Sequence, residues 1–97
     1  HWPLPRPRHL ERWPTHKKLV FVYIIVSESN PDRHYTGLTH DLEQRLRAHN
    51  AGQVPHSARF RPWRLETAVA FRSRSKARCF EVYLKSHSGR AFARKRL

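Results

Sequence analysis

The sequence predicts an α+β domain: a small three-stranded, mainly antiparallel sheet flanked by helices, in the order β-β-α-β-α-α. Three observations predict it. The run Leu19 to Val26 is β-branched, aliphatic or aromatic throughout, with Tyr23 its one hydroxyl. The turn signal Asn30-Pro31-Asp32 follows that run. Two later stretches, near Leu42 to His49 and Phe80 to Leu84, space their apolar residues at helical intervals. The 97 residues leave room for one small domain, and 38% hydrophobic residues can bury a modest core.

Residues 1–18 are expected to form a flexible basic, proline-rich arm. Pro3, Pro5, Pro7 and Pro14 block helices there, Arg6, Arg8, Arg12, Lys17 and Lys18 add charge, and Trp2 and Trp13 could dock it. The domain is expected over 19–97. Its first strand has no polar face, which fits a central strand covered on both sides. After the turn, His34 to Thr39 should close an antiparallel hairpin. A helix follows at about Asp41 to Asn50, with Thr39 as N-cap, Asp41 and Glu43 in the first turn and Gly52 ending it. A loop from Ala51 to Pro62 leads to a third strand, Trp63 to Phe71, in which Leu65, Thr67, Val69 and Phe71 alternate with Arg64, Glu66, Ala68 and Ala70. Ser73 or Ser75 can cap a second helix, roughly Lys76 to Ser86, with the stripe Phe80, Tyr83 and Leu84. Ser88 or Gly89 then punctuates, and a short basic helix, Arg90 to Arg96, ends the chain.

Charge narrows the function. With 20 Lys+Arg against 7 Asp+Glu the formal charge is +13, so a polyanion is the expected partner, and nucleic acid is the commonest. Acidic membranes are the rival, but no spare amphipathic helix with a broad apolar face is seen, and an eight-residue apolar run is too short to span a bilayer. A basic surface that only solubilises the chain is the bland alternative. The single cysteine, Cys79, excludes a disulfide framework, and the scattered histidines argue against zinc. No secretory signal is visible, which leaves a cytoplasmic location as the default.

Five side chains are candidates for chemistry. At about 100° per residue, Leu42 and Leu46 mark the buried face of the first helix and Arg45 and His49 border it, while Gln44, Arg47 and Ala48 point elsewhere. A guanidinium and an imidazole on a half-buried face suit a phosphate; the bland alternative is a solvated edge along which Arg45 snorkels. Tyr23 and Tyr35 sit on adjacent strands, and Gly37 lets a ligand or backbone approach. From Thr67 to Leu97 there are nine Lys+Arg and one carboxylate, Glu81. A lone acid in a basic surface can anchor a hard divalent cation whose shell is completed by water and phosphate. It can equally be a salt bridge to Lys85 or Arg78.

The segments Phe21-Val22-Tyr23, Tyr35-Thr36-Gly37, Asp41 to Leu46 and His49-Asn50-Ala51-Gly52, taken in order, resemble the GIY-YIG nuclease superfamily. The tail Phe80 to Phe92 resembles a bacterial branch of small stand-alone members. The resemblance covers roughly Leu19 to Leu97. It implies a metal-dependent endonuclease in which Tyr23, Tyr35, Arg45, His49 and Glu81 are the catalytic set and Glu81 holds Mg²⁺ or Mn²⁺. The leading residues of the first triplet, Phe21 and Val22, depart from the family's glycine and isoleucine. Many members also carry a polar residue, often Asn, after the glutamate helix, for which Ser88 and His87 are the candidates.

Combining both lines, Lys85, Arg90 and Arg78 are expected to hold the nucleic-acid backbone, with DNA ahead of RNA. No sequence-reading module follows the domain, which favours a DNA structure over a long recognition site. The alternatives are a basic DNA- or RNA-binding module that does not cut, and an RNA-associated accessory protein.

Overall fold

The computed structural model describes residues 19–97; the expected arm lies outside the described residues. Three strands form one antiparallel sheet in the order β2-β1-β3: β1 is Val20–Ser27, β2 His34–Thr39 and β3 Trp63–Phe71. Three helices follow the expected order, α1 at Leu42–Asn50, α2 at Arg74–Leu84 and α3 at His87–Arg96. The architecture is the α+β one expected.

The polarity of β1 explains its central place. Every residue from Val22 to Ser27 is buried, so both faces are covered. Val20, Val22 and Ile24 point to one side and pack with Ala77 and Leu84 of α2. Tyr23 and Ile25 point to the other and pack with Trp63, Leu42, Leu46 and Phe60. The sheet is thus sandwiched between α2–α3 on one face and α1 with its following loop on the other.

Local capping moves several boundaries. Asp41, not Thr39, caps α1: its Oδ1 accepts from the Gln44 amide at 3.1 Å, while the Thr39 hydroxyl accepts from the Asp41 amide. An aspartate one residue before the helix reaches the first-turn amides directly, and Thr39 is spent on the turn that delivers it. Gly52 ends the segment as expected, with φ +77°. Ser73 caps α2 and accepts from the Lys76 amide, so α2 starts at Arg74 rather than Lys76. Ser86 caps α3 and accepts from the Gly89 amide, so α2 closes at Leu84 and α3 opens at His87 instead of Arg90.

The alternation expected along β3 breaks. Ile24 pairs with Thr67 but Ile25 pairs with Leu65, which leaves Glu66 in a bulge. The extra residue carries Leu65 and Trp63 to the Tyr23 face. Leu65 is therefore not in line with Thr67, Val69 and Phe71, and it stays 42% exposed. On α2 the inward stripe is Ala77, Phe80, Glu81 and Leu84; Tyr83 is largely exposed and lies against the rings of Phe80 and Phe92. On α1, Ala48 is buried beside His49, whereas Leu42 and Leu46 are only half-buried. The helix is rotated so that its last turn, not the leucine stripe, is pressed deepest.

Candidate active site

Tyr23 projects from β1 across Gly37 on the neighbouring edge strand, and the two are directly paired. A Cβ at Gly37 would collide with the Tyr23 hydroxyl and come within 2.6 Å of its Cζ. The glycine is what lets the phenol reach over β2 to the sheet edge. There its oxygen meets two groups from α1: Arg45 Nε donates to it at 3.3 Å, and His49 Nε2 lies 2.9 Å away. Tyr35 stands beside them, its ring edge-to-face with His49 at 4.7 Å and 6.3 Å from the ring of Tyr23.

Glu81 comes from the opposite layer. It is on the inward stripe of α2, and its side chain is only 7% exposed. Arg78 Nη1 donates to Oε1 at 2.9 Å and Lys85 Nζ to Oε2 at 3.1 Å. Both ion pairs weighed from the sequence are therefore made at once. Tyr23, Tyr35, Gly37, Leu38, Arg45, Arg74, Ser75, Arg78 and Glu81 line one open cleft of about 700 Å³. It sits at the β2 edge, where the two helical layers can both reach.

Electrostatics divide the groups into neutral and charged. Burial pushes the Tyr23 phenol above its ordinary value; the Arg45 hydrogen bond and charge pull back, and Tyr35 and Glu81 push up again. Arg45 is held more firmly protonated, first by its hydrogen bond to Tyr23. His49 is fully buried, and burial together with the charge of Arg45 lowers its pKa to about 4. At neutral pH Tyr23 is thus a neutral phenol in the cleft wall, Arg45 a fixed guanidinium beside it, and His49 a neutral imidazole behind it.

Four of the five expected side chains, Tyr23, Tyr35, Arg45 and Glu81, line the cleft; His49 is behind Tyr23 and reaches it through the phenol. Lys85 and Arg78 flank Glu81, and Arg90 is exposed on α3. Ser88 and His87 are exposed in the first turn of α3 and are not part of the cleft wall. Three wall residues, Leu38, Arg74 and Ser75, were not expected as site residues, and neither was Ser57, which is 0% exposed and whose Oγ is 2.6 Å from His49 Nδ1. Arg74 and Ser75 are legible only once α2 is known to start two residues earlier. Ser57 lies in a loop with no periodicity to mark it.

The GIY-YIG catalytic domain model matches residues 19–96. The chain belongs to the GIY-YIG family. A UPF0213 protein from Haloquadratum walsbyi is 37% identical over 67 residues, spanning 68% of this chain and 75% of that protein. No solved structure matches. The GIY-YIG match begins with β1 and runs through all three helices, so it covers every residue of the cleft. The family is a nuclease-type one.

Proposed function

We propose that the chain is a divalent-metal-dependent endonuclease that hydrolyses DNA phosphodiester bonds, acting at a DNA structure such as a flap, branch or damaged end. The observation that carries this is the meeting of Tyr23, Tyr35, Arg45 and Glu81, from two strands and two helices on opposite faces of the sheet, around one open cleft.

Glu81 fits a hard cation. It is a shielded carboxylate at the wall of a cleft wide enough for water and a phosphate, and among the described residues no cluster of three or more His, Cys, Asp or Glu competes for a softer metal. Mg²⁺ or Mn²⁺ held there would supply charge to a non-bridging phosphate oxygen and to the leaving 3′ oxygen. Arg78 and Lys85 would turn from Glu81 to the nucleic-acid backbone, a short swing for two exposed side chains.

The protein's own groups handle the proton. Arg45 is always a donor, so the Tyr23 oxygen accepts from it, and the Tyr23 proton is free to go to His49 Nε2, 2.9 Å away, when that nitrogen carries no proton. A water on the cleft side of Tyr23 gives its proton to the phenol oxygen as the phenol proton passes to Nε2. A raised phenol pKa fits this role, because Tyr23 then relays a proton without resting as a phenolate. The incoming phosphate neutralises Arg45, one of the two causes that depress His49, so substrate itself makes the imidazole a better acceptor. Arg45 balances the charge that grows on the phosphorus oxygens.

A non-catalytic nucleic-acid-binding module is the second reading, supported by the Arg78 and Lys85 contacts that occupy both Glu81 oxygens. Nicking of plasmid and branched DNA with Mg²⁺, Mn²⁺ or EDTA separates the two. Glu81→Gln and Arg45→Ala should each lower the metal-dependent rate at least a hundredfold while binding persists. Equal cutting by all three proteins would remove the assigned centre, and metal-independent binding without cutting would favour the second reading.

A further inference from the structure

We propose that Ser57 is a positioning residue for the proton relay: it fixes His49 in the tautomer that carries its proton on Nδ1 and leaves Nε2 free to accept from Tyr23. This rests on the nuclease reading for its purpose, but not for its test.

Ser57 and His49 are both 0% exposed, so each hydrogen bond between them lacks competition from water. The Nδ1 to Oγ separation is 2.6 Å. Two arrangements of protons could satisfy it. In one, Ser57 donates to Nδ1 and Nε2–H donates to Tyr23. The Tyr23 oxygen would then take two donors, Arg45 and His49, and its own proton would lose its partner on the buried side. In the other, Nδ1–H donates to Ser57 Oγ, the Ser57 hydroxyl donates to the Val54 carbonyl at 3.3 Å, and the phenol proton goes to Nε2. Every donor then has an acceptor, in one direction: Arg45 to Tyr23 to His49 Nε2 on one side of the ring, His49 Nδ1 to Ser57 to Val54 on the other.

The loop is built to hold that hydroxyl still. The Ser57 amide also donates to the Val54 carbonyl, at 3.1 Å, and the Ser57 carbonyl accepts from the Trp63 indole at 2.9 Å. Asn50, next to His49, locks the far end of the loop through both polar atoms of its side-chain amide: its Nδ2 donates to the Trp63 carbonyl and its Oδ1 accepts from the Trp63 amide. Backbone and indole therefore converge on Ser57, and the Asn50 amide fixes the Trp63 whose indole is one of them. A plain packing serine would not require its oxygen at hydrogen-bond distance from the ring that the Tyr23 hydroxyl meets.

The test reads the tautomer itself. Uniformly ¹⁵N-labelled full-length protein, without metal or DNA, is examined at pH 7 by long-range ¹H–¹⁵N correlation of the imidazole rings, with His49→Gln to assign the signal. The expected pattern is a protonated Nδ1 and an unprotonated Nε2. Ser57→Ala removes the acceptor, and Ser57→Cys keeps the volume with a weak one, so both should move the proton toward Nε2; Ser57→Thr keeps the hydroxyl and should restore the original pattern. Cleavage should fall about ten- to hundredfold in the first two variants and recover in the third. A folded Ser57→Ala or Ser57→Cys protein that keeps the wild-type tautomer, or a wild type protonated on Nε2, overturns the proposal. A wild type with the expected tautomer and no cutting on any DNA leaves Ser57's effect on His49 standing and refutes the nuclease reading alone.

Discussion

His49 is packed among Tyr23, Tyr35 and Trp63, and the structure keeps its imidazole neutral. Its pKa falls from 6.5 to about 4, chiefly through burial. Between those values the unfolded chain takes up a proton that the folded chain refuses. The stability is fully present above pH 6.5 and is lost as pH falls toward 4, by up to roughly 3 kcal/mol. Urea midpoints measured from pH 7 to pH 4 should therefore drop more steeply for the wild type than for His49→Gln; parallel curves would remove the buried imidazole as the cause. The same burial explains why no sequence argument could grade His49. An imidazole bordering a leucine stripe reads as half-solvated, whereas here Ala48 and His49 are pressed deeper than the half-buried leucines.

At the scale of elements, the cleft depends on three joints. The β3 bulge at Glu66 turns Trp63 under α1, the paired Gly37 opens β2 to the Tyr23 ring, and the corner between α2 and α3 packs tightly at the end of the helix that carries Glu81. Gly89 is the tightest point of that corner. A Cβ there would run into the Tyr83 carbonyl and lie 2.7 Å from Leu84 Cα, both backbone atoms that cannot swing aside. Gly89→Ala should cost about 1–3 kcal/mol of stability, whereas Ser88→Ala, exposed one residue earlier, should change it by less than about 0.5. Thermal melts of the two variants check this. The strand limits of β2 and β3 were legible to the residue because turn residues and prolines bracket them. The helix starts were not, because Ser73, Ser75, Ser86 and Ser88 are equivalent as letters and only the local geometry selects which one reaches an amide.

At the scale of the molecule, a +13 chain meets a polyanion whatever its chemistry. Association with DNA should weaken steeply with salt, and neutralising one exposed phosphate contact should flatten the dependence by about one unit of slope. Fluorescence anisotropy of a labelled duplex across a salt series, comparing wild type with Arg90→Gln and Lys85→Gln, measures this; an unchanged slope would take both residues out of the interface. Among the described residues no helix is long and apolar enough to cross a membrane, in line with the short apolar run of β1. The sequence by itself determined the α+β order, the central strand and the basic charge, and it singled out Tyr23, Tyr35, Arg45, His49 and Glu81 as candidates, because local pattern, charge and an ordered set of motifs are properties of the chain. Tertiary structure alone decided that Tyr23 and Glu81 line one cleft from opposite faces of the sheet, that the Tyr23 oxygen lies 2.9 Å from His49 Nε2, and that Ser57 stands behind that ring. Neither periodicity nor charge encodes such contacts, because residues apart in the chain acquire a common direction only when the sheet brings them to one edge.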